Sequence, residues 1–289
     1  GEAALYRLWS DAEVQVRYTA LASLAAREVQ DLAVILRQAL TDADPVVRAV
    51  AADAIAGRDD SASYADALEM SFSAFPEAKV NDARLALVGA FAAAGMHEQL
   101  ELALADRDWL VRRRAAELLE EADGTPRRIE PLPGRALDFY ASALDDSLPH
   151  RIELSTERGS FEIELLWKDA PLTCLNFLEL VRAGYYDGLS YHRVVPDFVV
   201  QDGCPRSDGW GGPGHQIRCE INLQRYGAGM VGMALAGKDT GGSQYFITLT
   251  PTPHLDGGYT IFGRVSRGFD IVRTLQRGDR TLKLEPVAK

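Results

Sequence analysis

The stretch "YHRVVPDFVVQDG", Tyr191 to Gly203, carries the clearest indication of fold in this chain. Two valine-rich runs flank Pro196, and β-branched residues favour extended backbone, so each run predicts a short strand. Proline has no backbone donor and therefore separates the two strands. Arg193 stands among apolar residues, although a buried, unpaired guanidinium costs several kcal/mol. This arginine therefore requires a partner or an open surface.

The residues around this stretch predict more short strands and two helices. Residues 151–166 predict a hairpin with "TERG" as its turn. Residues 170–184 predict a helix that begins near Pro171 and stops at Gly184, and residues 269–278 predict a second helix. Many short strands favour a barrel or a sandwich. The other predicted strands are residues 185–195, 197–203, 229–235, 243–249 and 260–265.

The first 123 residues are rich in alanine and have the period of helices. Four segments align, each with an arginine followed by apolar residues three and seven positions later, which is one face of an amphipathic helix. Asp44 followed by Pro45 is suited to a helix N-terminus. We therefore predict stacked units of a helix, a turn and a second helix. The segments are residues 16–24, 47–55, 83–91 and 111–119, with Arg17, Arg48, Arg84 and Arg112.

The four segments resemble HEAT repeats, in which a D-x-x-V-R-x-x-A pattern opens the second helix. The Val-Arg pair is intact in three of them, and Ala83-Arg84 departs from it. The resemblance implies an α-solenoid that binds a protein partner. A plain helical bundle is the alternative interpretation.

The sequence predicts two domains joined by a linker. Pro126, Pro131 and Pro133 interrupt the helical pattern. We place a helical repeat domain at residues 1–123, a linker with one possible short helix at 124–150, and a strand-rich domain at 151–289.

Four motifs of the second domain resemble the cyclophilin family of peptidyl-prolyl cis/trans isomerases. They occur in the family's order, as "YHRVVPDFVVQDG", "GGPG", "GMALAGKDTGGSQYFIT" and "HLDGGYTIFGRV". The resemblance implies a closed eight-stranded antiparallel β-barrel capped by two helices. It also implies isomerisation of X-Pro bonds in protein clients, a reaction that needs no acid/base pair.

The resemblance assigns a site residue by residue. Arg193 matches the catalytic arginine, and Gln201 matches the glutamine that holds it. Phe198, Phe246 and Leu255 match the pocket for the proline ring. The remaining substrate-binding matches are Val199, Ala234, Leu235, Ala236, Gln244, His254 and Tyr259.

Three positions depart from the family pattern. Leu235 replaces a usual asparagine, and Tyr259 replaces a histidine beside the proline pocket. His254 replaces a tryptophan that matters for cyclosporin, so we expect cyclosporin to bind weakly. These departures leave open a second interpretation, a scaffold or chaperone that binds proline-containing peptides with little turnover.

Charge and cysteine usage argue against several classes of protein. The net charge is −11, and residues 1–125 hold 12 basic and 22 acidic residues, which argues against a nucleic-acid partner. Five scattered histidines and three cysteines lack metal-ligand spacing, so we expect no metal and no cofactor. A Cys204–Cys219 disulfide is one possible pairing.

No apolar run approaches the roughly 20 residues that span a bilayer. No secretory signal is found, and the chain opens in a helical pattern without an initiator Met, so we interpret it as part of a longer protein. The second domain is similar in length to compact bacterial cyclophilins. Both the bacterial cytoplasm and the periplasm stay open as compartments.

Overall fold

The structure is a computed structural model that describes residues 2–74, 82–130, 141–143, 145 and 147–287. The chain divides into two compact units, residues 1–133 and 134–289. The short helix predicted within the linker, residues 135–144, falls mostly outside the described residues.

The first unit consists of paired helices. Helices α2, α4, α6 and α8 coincide with the four arginine-bearing segments, and neighbouring members of this inner set pack on one another. Each is also packed against the helix before it in the chain. The helices are α1 Glu2–Leu8, α2 Val14–Ala25, α3 Leu32–Ala39, α4 Pro45–Ala56, α5 Ala65–Ser73, α6 Asp82–Ala93, α7 His97–Ala103 and α8 Trp109–Asp123, with a 3₁₀ turn at Ser61–Tyr64.

Aspartates stabilise the starts of the inner helices. The predicted N-cap is confirmed, because Asp44 Oδ1 accepts from the Val46 amide at 2.9 Å. Asp108 accepts in the same way from Leu110 and begins α8. Arginines then join successive turns: Arg17 donates to both carboxylate oxygens of Asp42 at 3.1 Å. The HEAT-like character of these pairs stays a prediction.

The second unit is built on an eight-stranded antiparallel sheet. Its strand order is β3-β4-β6-β5-β7-β2-β1-β8. Within residues 147–287, two α-helices accompany it, α9 Pro171–Arg182 and α10 Phe269–Val272. The strands are β1 Arg151–Thr156, β2 Gly159–Leu165, β3 Arg193–Val195, β4 Val199–Asp202, β5 Met230–Met233, β6 Tyr245–Thr248, β7 Ile261–Arg267 and β8 Thr281–Pro286.

The predicted closed barrel is wrong, because the sheet is an open half-barrel. Strands β3 and β8 are its two edges and do not pair with each other. Between the segments that precede them, an isolated antiparallel bridge joins Ser190 and Arg280, and neighbouring backbone hydrogen bonds include Tyr191 N to Asp279 O at 3.0 Å. The strand predicted at residues 185–195 shrinks to β3, since Gly184 and Gly188 have positive φ and turn the backbone before it.

Strand β8 was not predicted from the sequence. Only Thr281 and Leu284 are buried along it, so it lacks the alternation of a half-buried strand. It is recognisable only through its pairing with β1, in which Leu154 faces Leu284.

The sheet has two apolar clusters. The larger one lies between the sheet and α9, where Phe177 meets Tyr245 edge-on with ring centroids 5.5 Å apart. The smaller one surrounds Phe246 and contains Val199, Tyr226 and Ile261. Among the described helices, none has the length and apolarity needed to cross a bilayer.

Candidate active site

One transverse row of the sheet forms the base of the site. Arg193 on β3 faces Gln201 on β4, Gln201 faces Phe246 on β6, and Phe246 faces Gly232 on β5. Directly opposed residues of antiparallel strands project from the same face of a sheet. The pairing register therefore brings a cation, an amide and an aromatic ring together from three separate strands.

Phe198 reaches the same face by a different route. It precedes β4 in a three-residue loop, and Asp197 beside it has a φ of +57°. Strand alternation does not apply in such a turn, so Phe198 and Gln201 can converge although they are three residues apart. The Arg193 guanidinium carbon lies 5.6 Å from the centroid of the Phe198 ring.

A chain of side-chain amides extends from the arginine. Arg193 Nη1 donates to Gln201 Oε1 at 3.5 Å, and Gln201 Nε2 donates to Gln244 Oε1 at 3.0 Å. Gln244 Nε2 donates to the carbonyl oxygens of Gly209 and Gly211, both at 2.8 Å. Each amide is thus oriented by the next, and Gln201 presents its oxygen to the cation.

Apolar side chains form a cluster beside this amide chain, where the resemblance places the proline pocket. Val199 and Phe246 are buried, while Phe198, Ala234, Leu255 and Tyr259 are partly exposed around them. Tyr259 meets the Phe246 ring edge-on, with centroids 5.6 Å apart. His254 is exposed and stacks on Phe198 at 5.4 Å, so it forms part of the rim.

Two predicted site residues lie away from this pocket. The Leu235 side chain packs against the larger core cluster rather than around Phe246. Ala236 is exposed on the following loop, where its amide donates to Thr240 Oγ1 at 2.8 Å.

Sequence reasoning missed two residues that shape the pocket. Tyr226 stacks on Phe246 with centroids 5.5 Å apart, and a Cβ on Gly232 would lie 2.2 Å from the Tyr226 hydroxyl. Gly232 therefore makes room for both rings. Tyr226 belongs to a segment without regular structure, and no local pattern predicts a contact with a residue 20 positions away.

Two titratable groups next to the row in sequence are buried. Burial raises the pKa of Asp202, whose carboxylate accepts from the Gly203 amide and from Thr281 Oγ1. Burial lowers the pKa of His192. These groups lie on either side of the row in sequence, but their side chains are in the interior.

The three cysteines are free thiols, so the Cys204–Cys219 disulfide is not formed. Cys204 Sγ instead accepts from the amides of Gly209 and Gly211 at 3.3 Å. No group of three or more His, Cys, Asp or Glu side chains suited to a metal ion occurs within the described ranges.

The arrangement suits a ligand with one apolar ring and adjacent backbone. The partly exposed apolar cluster offers a surface to the ring, and the exposed guanidinium over Phe198 offers several donors beside it. Without a paired nucleophile and base, what the site can provide is binding and an aimed positive charge.

Comparison with known proteins identifies the family of this domain. Residues 151–289 match the family model described as cyclophilin type peptidyl-prolyl cis-trans isomerase/CLD. The chain is similar to a peptidyl-prolyl cis-trans isomerase of Synechococcus elongatus, 48% identical over 136 residues, which are 46% of this chain and 94% of that protein. It is similar to peptidyl-prolyl cis-trans isomerase B of Bacillus subtilis, 48% identical over 44% of this chain and 90% of that protein.

A human relative, peptidyl-prolyl cis-trans isomerase-like 1, is 45% identical over 148 residues, 50% of this chain and 89% of that protein. These relatives are covered almost end to end by the second unit of the chain. The chain therefore belongs to the cyclophilin-type peptidyl-prolyl cis-trans isomerases, and residues 151–289 are its isomerase domain.

Proposed function

We propose that Arg193 catalyses rotation about X-Pro bonds and that the pocket around Phe246 holds the proline ring. The observation that carries this proposal is the position of Arg193, exposed, over Phe198 of the apolar cluster and within reach of Gln201. A structural arginine would be expected to pair with a carboxylate instead.

The chemistry requires only that the twisted bond be favoured over the planar one. Resonance gives the peptide bond a rotation barrier of about 20 kcal/mol. In the twisted state the proline nitrogen becomes pyramidal and regains a lone pair, which a fixed donor can stabilise. The Arg193 guanidinium is such a donor, and no covalent bond has to form or break.

The neighbouring groups have supporting roles in this proposal. Phe246, Phe198 and Leu255 anchor the ring while the preceding carbonyl swings. Gln201, held by Gln244, orients the guanidinium and can bind substrate backbone. The reaction uses no cofactor.

The test is the isomerisation rate of a short X-Pro peptide. Arg193→Ala should lower kcat/KM by about 100-fold or more, as expected for loss of a preorganised donor. Arg193→Lys should recover only part of the rate, because an ammonium lacks the planar fork. Arg264→Ala is the matched control, since Arg264 is an exposed strand arginine paired with Glu164. Equal rates for Arg193→Ala and wild type would reject the proposal.

We also propose that the helical unit, residues 1–123, is a HEAT-like repeat domain that brings protein clients to the isomerase. Its support is the packing of four inner helices in sequence order, each with a partner helix. The test is whether the full chain binds a client protein. Substitutions in the helices that hold the client should abolish this binding.

A second candidate function is binding of proline-containing peptides with little turnover. The positions of two side chains favour this candidate. Tyr259 lies edge-on against Phe246 and His254 stacks over Phe198, so both occupy space beside the pocket. Tight peptide binding by a wild type that is no faster than Arg193→Ala would favour this candidate. The His254 rim also leads us to propose weak cyclosporin binding.

A further inference from the structure

The helical unit presents large apolar side chains to solvent in a regular pattern. Val34 is 58% exposed, Met70 68% and Leu102 66%. They lie on α3, α5 and α7, the helices that precede and pack on α4, α6 and α8. Single exposed apolar side chains are ordinary on protein surfaces, whereas a repeated set of them on successive helices is a surface that a partner can cover.

The three side chains occupy equivalent positions. Each follows a buried leucine by two residues, and the next residue after each is buried again. Two residues correspond to about 200° around a helix, so each exposed side chain points away from the core of its unit. The buried leucines are Leu32, Leu68 and Leu100, and the buried following residues are Ile35, Ser71 and Ala103.

The equivalence places the three residues in a row, which we call the outer stripe. Helix α4 packs beside α6, and α6 packs beside α8. The outer helices α3, α5 and α7 each pack on one of these, so they follow one another in the same order. The inner helices pack directly on one another, and packed helices lie about 8–10 Å apart, so we take one such step as the spacing between neighbouring members of the stripe. Seven residues of a partner α-helix rise by about 10 Å, which matches that spacing.

Charge beside the stripe selects the partner. Asp66 and Glu69 on α5 are exposed, as is Glu98 on α7, while the exposed Glu101 on α7 already pairs with Arg127. Residues 1–125 carry 12 basic and 22 acidic residues, so the surrounding field is negative as well. A cationic partner is attracted to such a surface, and an anionic one is repelled.

We propose that the outer stripe of Val34, Met70 and Leu102 binds a cationic amphipathic helix of a client protein, with one apolar residue of that helix at every seventh position. The inference rests on the recruiting role proposed for the helical unit and adds which face acts and what it recognises. The apolar residues supply affinity, and the flanking carboxylates select lysine and arginine.

The experiment uses the full chain and a synthetic helical peptide of about 24 residues, with leucine at every seventh position, lysines beside each leucine and alanine elsewhere. Titration calorimetry measures the Kd. We expect Met70→Ser and Leu102→Ser each to weaken binding about tenfold, and the triple variant with Val34→Ser to abolish it. Leu223→Ser is the control, because Leu223 is 96% exposed but lies in the second unit.

A peptide with glutamate in place of lysine should not bind, and raising the salt concentration should weaken binding of the lysine peptide. The proposal is overturned if wild type does not bind the lysine peptide, if the triple variant binds it as tightly as wild type, or if Leu223→Ser loses as much affinity. The single variants decide the question should the triple variant fail to fold. The rate on a short X-Pro peptide should stay unchanged in the triple variant, and it reports separately on the catalytic proposal.

Discussion

Gln201 lies directly opposite Arg193 in the β3–β4 hairpin, and its side-chain oxygen accepts from Arg193 Nη1 at 3.5 Å. The other end of the same amide donates to Gln244 at 3.0 Å, so the glutamine cannot turn its nitrogen toward the cation without losing that bond. The register of one hairpin thus determines where the guanidinium is held.

From this relationship we expect Gln201→Ala to lower kcat/KM for a short X-Pro peptide by about tenfold, the effect of about 1.4 kcal/mol of lost orientation. Stopped-flow isomerisation measures the rate, and circular dichroism checks folding. Gln224→Ala is the control, because Gln224 bonds Asp169 outside the site. A Gln201→Ala enzyme as fast as wild type would show that the arginine needs no such partner.

Gly232→Ala should damage both stability and activity. The new methyl carbon would meet the Tyr226 hydroxyl at 2.2 Å and Phe246 Cζ at 2.4 Å, so the rings have to move. Overpacking of this kind costs about 1–3 kcal/mol, which urea unfolding would detect. Gly212→Ala is the matched control, since nothing lies within 4 Å of its added carbon. Equal unfolding midpoints for the two variants would contradict the packing described for the pocket.

Asp202 should make the domain less stable as the pH rises. Burial raises its pKa in the folded state, so above a pH of about 4 the unfolded chain gives up this proton first. The stability of Asp202→Asn relative to wild type should therefore improve from pH 4 upward until the folded carboxyl has also ionised. Urea unfolding of both proteins at a series of pH values measures the difference.

Asp279→Asn provides the comparison of opposite sign. Arg158 lowers the pKa of Asp279, so this carboxylate stabilises the fold above a pH of about 4 and loses that contribution as the pH falls through its folded pKa. If the stability of the two asparagine variants relative to wild type changed with pH in the same direction, burial would not be the cause of the pKa shift of Asp202.

In the helical unit, Arg84→Met should be strongly destabilising. Arg84 pairs with Asp106, whose side chain is only 3% exposed, so the substitution leaves a nearly buried carboxylate without its cation. Such a loss costs about 3 kcal/mol. Arg58→Met should cost much less, because Asp60, the partner of Arg58, is 47% exposed and solvent screens the pair. Thermal unfolding of both variants tests this order, and similar losses would contradict it.

Much of the fold follows from local pattern. The valines around Pro196 predict β3 and β4, and Asp44-Pro45 predicts the start of α4, because β-branching, proline and N-capping act within a few residues. Strand β8 and the open edge of the sheet could not be predicted in this way. Burial along β8 is set by its pairing with β1, and the edge at β3 is set by the turns before it.

The candidate site divides in the same manner. Arg193, Phe198, Gln201 and Phe246 were identified from sequence motifs, but their convergence depends on strand register across β3, β4 and β6. Tyr226 and Gly232 became recognisable only from contacts between distant segments.

Motif resemblance and periodicity were thus enough to name the family, to separate a helical from a strand-rich domain and to nominate Arg193 as the candidate catalytic residue, since these depend on residue type and short spacing. Tertiary packing decided which strands form the sheet edges, which rings border the pocket and which apolar side chains stay in solvent. The physical reason is that pairing and burial join residues far apart in the chain, and no local propensity encodes such distances.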